Sequence, residues 1–359
     1  MILTNISTVH HLKDPRINTL MTKAASKFLE SEVYAFIKSP SSIERHERNL
    51  GNYSLLRRLA WNIYFPFFLK DLKKRIIVFH DPELIFSAFL IKLFGAKVFF
   101  DIHEDIFMDI RQKNWIPYLI RNLTIFIITF VFKLILPKID GLICATPTIL
   151  NRYSKFHNKC FLIRNFPSIS ESFISKSRVY KKNEITDQID LCYVGSLAEN
   201  RGLKDLISLS NIENISVKVL GSFASLNAKS FFMSSVNSKK IEYYGYVNND
   251  EVYEIIKSCH AGIIFLDDID NFRESIPTKI FDYTRWGIPS IINLKTKASN
   301  LTGIENILIH LEKKQSLDDL FDYLKLEIND KYQKFEGSRN TFLKTYNFES
   351  DFRLFLSLI

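Results

Sequence analysis

The chain has 359 residues, 47% hydrophobic and 24% charged, the balance of a folded protein of about two domains at roughly 100–200 residues each; a disordered or collagen-like chain is excluded. The net charge of +9 is unevenly spread. Residues 1–180 hold 26 basic and 14 acidic side chains, net +12, and residues 181–359 hold 22 and 25, net −3, so the two halves are expected to face different partners.

In the first half, β-rich runs alternate with helical patterns. Strands are predicted at 2–7, 32–38, 75–80, 97–102, 139–144 and 160–164, and helices at 16–29, 55–73, 82–94, 115–136 and 147–153. The runs Ile76-Ile-Val-Phe and Val98-Phe-Phe are apolar throughout, as in a parallel sheet covered on both faces. Strand–helix–strand alternation predicts right-handed crossovers and a doubly wound sheet. From Pro167 to Asp190 the apolar period stops, and serines and a Lys-Lys-Asn-Glu run take over, which reads as an interdomain linker. Alternation then restarts, with strands at 189–194, 216–220, 241–244, 262–266, 289–292 and 306–309, and helices at 203–209, 228–235, 250–258, 277–286 and 317–328. The expected organisation is an N-terminal α/β domain at 1–167, a linker at 168–188, a second α/β domain at 189–337, and a last helical segment at 338–359. Tandem domains of this class are expected to face one another across a cleft at the carboxyl ends of their strands.

Two segments carry chemistry. In the first, Pro277 suits a helix start and Gly287 followed by Pro289 a sharp helix stop,. Glu274 lies just before that helix and Asp282 about a turn and a half inside it, with Thr278 and Lys279 between. A helix start favours phosphate, and two carboxylates there suit a hydroxyl-rich ligand; an ordinary capped helix is the alternative. In the second, a buried strand runs into Gly195-Ser196, and Arg201-Gly202 precedes the next helix, in outline a loop-to-helix phosphate site. Neither a dinucleotide fingerprint nor a P-loop is present,.

Together these segments resemble the donor site of the retaining GT-B glycosyltransferases of family 4, the group 1 glycosyltransferases. Gly195-Ser196-Leu197 with Arg201-Gly202 matches their G-[RS]-L and following basic-Gly pair. Glu274 and Asp282 match their E-x7-E pair, within Lys279-Ile-Phe-Asp-Tyr-Thr-Arg-Trp-Gly-Ile-Pro289. In the N-terminal half, Val9–Arg16, His80-Asp-Pro-Glu83 and Asp101-Ile-His-Glu-Asp105 are similar to segments of polysaccharide-building members. The resemblance implies two Rossmann-like domains, with the last helix at 338–359 crossing back to the N-terminal one, and metal-independent transfer of a sugar, with retention, from a nucleotide-sugar to a glycan or lipid-linked glycan in surface polysaccharide synthesis, with UDP-sugars preferred to GDP-sugars and no separate cofactor. It implies that Glu274 binds the transferred sugar, Asp282 the ribose, and Arg201 the diphosphate, with Lys279 and the amides near Pro277 and Thr278. It also implies that Gly195 and Ser196 line the phosphates, that Tyr246 and Val247 lie against the base, and that His103 approaches the sugar. Ser196 in place of the usual arginine and Asp282 in place of glutamate are departures. A nucleotide-sugar epimerase of the same architecture and a catalytically silent binding subunit are the alternatives.

Asp268-Ile-Asp270 is formally a D-x-D metal motif, and His10-His11 and His103-Glu-Asp105 could be metal ligands; no metal is expected, since nothing anchors a third ligand. The stretch Leu119–Leu136 is read as a buried helix of the N-terminal domain. The competing reading is an interfacial helix on an anionic membrane, flanked by Arg111, Lys113, Arg121, Lys133 and Lys138,. No nucleic-acid motif accompanies the positive charge. Four scattered cysteines read as reduced thiols,. The start Met-Ile-Leu-Thr-Asn lacks a signal pattern, so a cytoplasmic protein is expected, peripheral on the inner face of the cell membrane under the interfacial reading.

Overall fold

A computed structural model describes residues 1–12, 14–36, 47–49, 55–112, 117–168, 185, 187–236, 240–247, 249–311 and 317–359; most of the linker expected at 168–188 lies outside them. The chain divides into two compact units. The N-terminal unit comprises Met1–Ser168 and Phe348–Ile359, and the C-terminal unit Ile169–Asn347.

The N-terminal unit is built on β1 (Ile2–His11), β2 (Ser31–Phe36), β3 (Glu47–Asn49), β4 (Arg75–Phe79), β5 (Lys97–Ile102), β6 (Gly141–Cys144) and β7 (Cys160–Leu162). They form one sheet in the order β3-β2-β1-β4-β5-β6-β7, with every pairing parallel. Strand order reverses between β1 and β4, the place where this class of sheet opens a crevice at its carboxyl edge. The apolar runs read from sequence are the central strands, and Ile77, Val78, Phe79, Val98 and Phe99 are buried. One sheet face packs against the helices Ile85–Leu93 and Tyr118–Ile135 and the helix Leu55–Phe68. The other is covered by the π-helical segment Pro15–Ala24 and by the helix Phe348–Leu358, which sets Phe348, Phe352 and Phe355 among Leu3, Ile76, Val78 and Phe99.

The expectation that Leu119–Leu136 is a buried helix is corrected. Phe132 and Ile135 enter the core, and Ile125, Ile128 and Val131 pack on it, but this stripe occupies one face only. The opposite face is also apolar and faces out, because the sequence supplies no polar period there. The helical segment expected at 338–359 is likewise divided between two helices: Leu317–Thr345 in the C-terminal unit and Phe348–Leu358 in the N-terminal one.

The C-terminal unit holds β8 (Ile189–Val194), β9 (Ile215–Leu220), β10 (Ile241–Gly245), β11 (Ala261–Ile264), β12 (Ser290–Ile292) and β13 (Leu308–His310). The sheet order is β10-β9-β8-β11-β12-β13, all parallel, with its reversal between β8 and β11. These two strands pair only at Ala261 with Leu191 and Gly262 with Cys192, and then diverge. Tyr283, fully buried on the helix Lys279–Trp286, fills the gap. Its hydroxyl accepts from the Val194 N–H at 3.0 Å and donates to the Ile263 carbonyl at 3.2 Å. Gly262 makes this approach possible, since a Cβ there would lie 2.4 Å from the Tyr283 ring.

Candidate functional site

The carboxyl edge of the C-terminal sheet gathers most of the residues singled out from sequence. β8, β9 and β10 are neighbours, and each ends at or just before a glycine: Gly195, Gly221 and Gly245. The Gly195 N–H donates to the Leu220 carbonyl at 2.9 Å, and the Gly221 N–H to the Gly245 carbonyl at 2.7 Å. Gly221 is tightly confined: a Cβ on it would lie 1.8 Å from the Gly195 carbonyl oxygen. The edge is therefore bare backbone, the form that lets phosphate approach main-chain groups. Sequence reasoning missed Gly221, although Leu220-Gly-Ser repeats the strand-Gly-Ser signal of Val194-Gly-Ser.

Cationic groups stand beside this edge. Lys279 opens its helix next to Gly195, whose Cβ position would be 3.9 Å from Lys279 Cε. The helix begins at Lys279, two residues later than the expected Pro277 start, because Pro277 and Thr278 supply the carbonyls that accept from Ile280 and Phe281. Asp282 thus falls in the first turn, not a turn and a half inside, where the helix dipole favours a carboxylate. It is held by Lys279 Nζ at 3.0 Å and lies 3.7 Å from an Arg285 guanidinium nitrogen. Glu274 ends the short helix Asp270–Arg273, is half-exposed, and lies 3.5 Å from Lys297 Nζ. Arg201 closes the 3-10 turn Glu199–Arg201 just ahead of the helix Leu203–Ser210. Tyr193, also missed from sequence, braces the Gly195-Ser196 turn by donating to the Ser196 carbonyl at 2.8 Å. Burial pushes its pKa up to about 12 against the opposing charge of Arg201. Tyr246 and Val247 follow β10, with the Tyr246 ring exposed. A cavity of about 500 Å³ opens at the ends of β12 and β13, lined by Asn293, Lys295, Ser299, Asn300, His310 and Leu311.

His103 belongs to the N-terminal unit, at the end of β5, within a polar cluster that sequence reasoning did not assemble. Buried Asp101 accepts from Arg16 Nε at 2.8 Å and from a second Arg16 nitrogen at 2.5 Å. His80 Nδ1 lies 2.9 Å from the same carboxylate. Burial alone would raise the Asp101 pKa, but the Arg16 charge and hydrogen bonds hold it well below the usual carboxylate range. His103 Nδ1 is buried 3.5 Å from Asp101 Oδ2 and makes no hydrogen bond of normal geometry. His10 stacks edge-on against His103, with ring centroids 4.8 Å apart, and Asp81 accepts from the Ser7 hydroxyl and the Thr8 and Val9 amides at 2.8, 2.6 and 3.2 Å. Apart from Arg16, which lies on the segment Pro15–Ala24, these groups come from the ends of β1, β4 and β5, at the strand-order reversal.

His80, Asp101 and His103 offer ligand atoms within 4.8 Å of one another, a spacing that could hold a metal. The carboxylate is already matched by a bidentate guanidinium, so a divalent cation would be set against Arg16 at short range. In the D-x-D segment, Asp268 accepts from Arg273 at 2.6 Å instead.

Comparison with solved structures places this chain among glycosyltransferase folds. It matches the HepE protein of Anabaena in complex with UDP-glucose with a TM-score of 0.70 at 11% identity, over 100% of both chains. It matches a sucrose-phosphate synthase from Thermosynechococcus elongatus with a TM-score of 0.68 at 10% identity, over 99% of this chain and 98% of that one. It matches the lipopolysaccharide outer core galactosyltransferase WaaB with a TM-score of 0.64 at 14% identity, over 100% of both. No protein-family model matches the sequence, and a search of curated proteins returns no match. At such low identity the likeness speaks for the fold: two doubly wound α/β units of the GT-B class.

Proposed function

We propose that the protein is a glycosyltransferase that moves a sugar, with retention and without a metal, from a nucleotide-sugar to a glycan or lipid-linked glycan acceptor. The observation that carries this reading is the bare edge of Gly195 and Gly221 with Lys279 at the adjoining helix start. Breaking an anomeric C–O bond leaves negative charge on a diphosphate, and fixed cations with a helix dipole stabilise that charge as it forms. Arg201 and Lys279 fill this role, with Gly195 and Ser196 against the phosphates. Glu274 accepts from hydroxyls of the transferred sugar and Asp282 from the ribose, each exchanging its lysine partner for the ligand. Tyr246 and Val247 border the base. His103 hydrogen-bonds the substrate, its ring fixed by the Asp101 cluster. With no nucleophilic side chain assigned opposite the leaving group, the acceptor attacks on the face the diphosphate leaves, and the diphosphate takes its proton. UDP is the preferred nucleotide, in keeping with the UDP and UDP-glucose held by the HepE structures. A surface polysaccharide is the expected destination of the sugar, and the cytoplasm the expected place of the reaction.

The test is thermal stabilisation by UDP, GDP, ADP and CMP, followed by release of free nucleotide from the stabilising donor. Stabilisation by a nucleoside diphosphate, and turnover lost in Glu274→Ala, support the proposal. No stabilisation by any nucleotide or nucleotide-sugar overturns it. Turnover that only interconverts the donor sugar identifies an epimerase, and binding without turnover a silent subunit.

A further inference from the structure

The N-terminal unit carries a large outward apolar face that its own fold does not cover. Among the described residues, 26 large hydrophobic side chains are exposed, and 15 of them lie between Ile63 and Leu134. Three helices supply nearly all of the fifteen: Leu55–Phe68, Ile85–Leu93 and Tyr118–Ile135. Phe67, Phe126 and Phe130 are 75%, 70% and 62% exposed. Side chains of this size leave on the order of 1,000 Å² of apolar surface in the open, well beyond the few hundred Å² usual on a soluble monomer. The face is continuous, because Ile63, Phe86 and Ile127, one from each helix, line one apolar cavity of about 380 Å³.

Charge selects what covers it. The three helices contain no aspartate or glutamate and five basic residues. Lys70, Lys73 and Lys74, just past the first helix, are exposed, as are Lys133 and Lys138. Asp71 is exposed among these lysines and Glu83 lines the cavity, so the fringe is net basic, and an apolar face with such a fringe is complementary to acyl chains beneath anionic headgroups.

The stretch Tyr118–Lys138 is long and apolar enough to cross a bilayer, with 17% of it buried, but crossing would withdraw Phe132 from the core. Phe132 is 1% exposed and packs edge-on against Phe100 and Phe107. A helix so anchored along one side lies flat. We infer that this three-helix face docks in the plane of an anionic lipid bilayer, with an acyl chain seated in the cavity between Ile63, Phe86 and Ile127. The inference goes beyond the proposed transfer reaction and is independent of it, since a chain that binds no nucleotide would still bind lipid.

The test is co-sedimentation of the full chain with phosphatidylcholine vesicles containing none or a third phosphatidylglycerol. Binding is expected to the anionic vesicles, weaker at high salt. Phe126→Ser with Phe130→Ser is expected to cut the partition coefficient by about tenfold or more, and Lys133→Gln by about fivefold, on anionic vesicles only. Both changes are on the exposed side, so an unchanged melting temperature certifies the fold. Absence of wild-type binding at low salt, or binding that the paired serine variant leaves unchanged, overturns the inference. So does a lipid-insensitive dimer in light scattering that the same serines dissociate, which would assign the face to a second copy.

Discussion

Tyr283→Phe tests how the carboxyl edge of the C-terminal sheet is held open. The phenol hydroxyl bridges the Val194 amide and the Ile263 carbonyl where β8 and β11 part, and the residue has no exposed surface. Phenylalanine keeps the ring against Gly262 and creates almost no cavity, so the loss is polar. Two hydrogen bonds disappear, and a buried donor and a buried acceptor are left unmatched, together about 2–3 kcal/mol. For a unit of this size that lowers its melting temperature by roughly 4–12 °C. Differential scanning calorimetry, which can resolve the two units, is the assay. The strands are expected to relax toward one another, so UDP affinity should weaken along with stability. A shift below about 2 °C would refute the bridging role, because it would mean that water or a strand rearrangement satisfies both groups.

Gly221→Ala should be more damaging than its size suggests, since its Cβ would overlap the Gly195 carbonyl; UDP-induced stabilisation should be lost, and a variant binding like wild type would contradict the close approach. Asp101→Asn leaves Arg16 buried without its full counter-charge and should destabilise the N-terminal unit by about 3–5 kcal/mol in urea unfolding. For His10, burial works against the charged ring, but the Asp14 hydrogen bond and the charges of Asp81, Asp14 and Glu104 outweigh it and raise its pKa above 6.5. Its contribution to stability is therefore complete below pH 6.5 and lost as pH rises through the raised value; NMR titration should show this, and Asp14→Asn should bring the His10 pKa down. Asp14 is itself held at about 2, burial being overcome by the hydrogen bonds from His10 and the Ile17 amide, so its share is present above about pH 4 and fades as pH falls toward 2. Arg201→Ala and Lys279→Ala should each weaken UDP by about tenfold or more, consistent with loss of a charge-assisted contact, while uridine binding changes little.

Sheet topology was legible because parallel strands buried on both faces must be apolar throughout, as Ile76–Phe79 and Val98–Phe100 are. The residues that meet at the carboxyl edge of the C-terminal sheet were picked out one at a time, since Gly195, Lys279 and Asp282 occupy short-range patterns. What local pattern does not encode is convergence: Arg16, His80 and Asp101 are far apart in sequence and meet only because β4 and β5 end side by side, next to the segment Pro15–Ala24 that follows β1. Gly221 was hidden because its requirement comes from a neighbouring strand. The outward face of Tyr118–Ile135 was misread as core for a physical reason: period and composition report that side chains avoid water, and remain silent on whether protein or something else shields them.

The break at Tyr346-Asn347 also bears on how the protein is made. Residues 348–359 give the N-terminal unit Phe348, Phe352 and Phe355, which pack on strands β1, β4 and β5, and Asp351, whose carboxylate takes three hydrogen bonds from Arg164. During synthesis the N-terminal unit emerges first, yet that side of its sheet has only the segment Pro15–Ala24 over it until the whole C-terminal unit has left the ribosome,. The intervening unit can fold on its own schedule, whereas the earlier one must wait, half-covered, for its final helix. Chaperone demand during translation should therefore track the length of that wait.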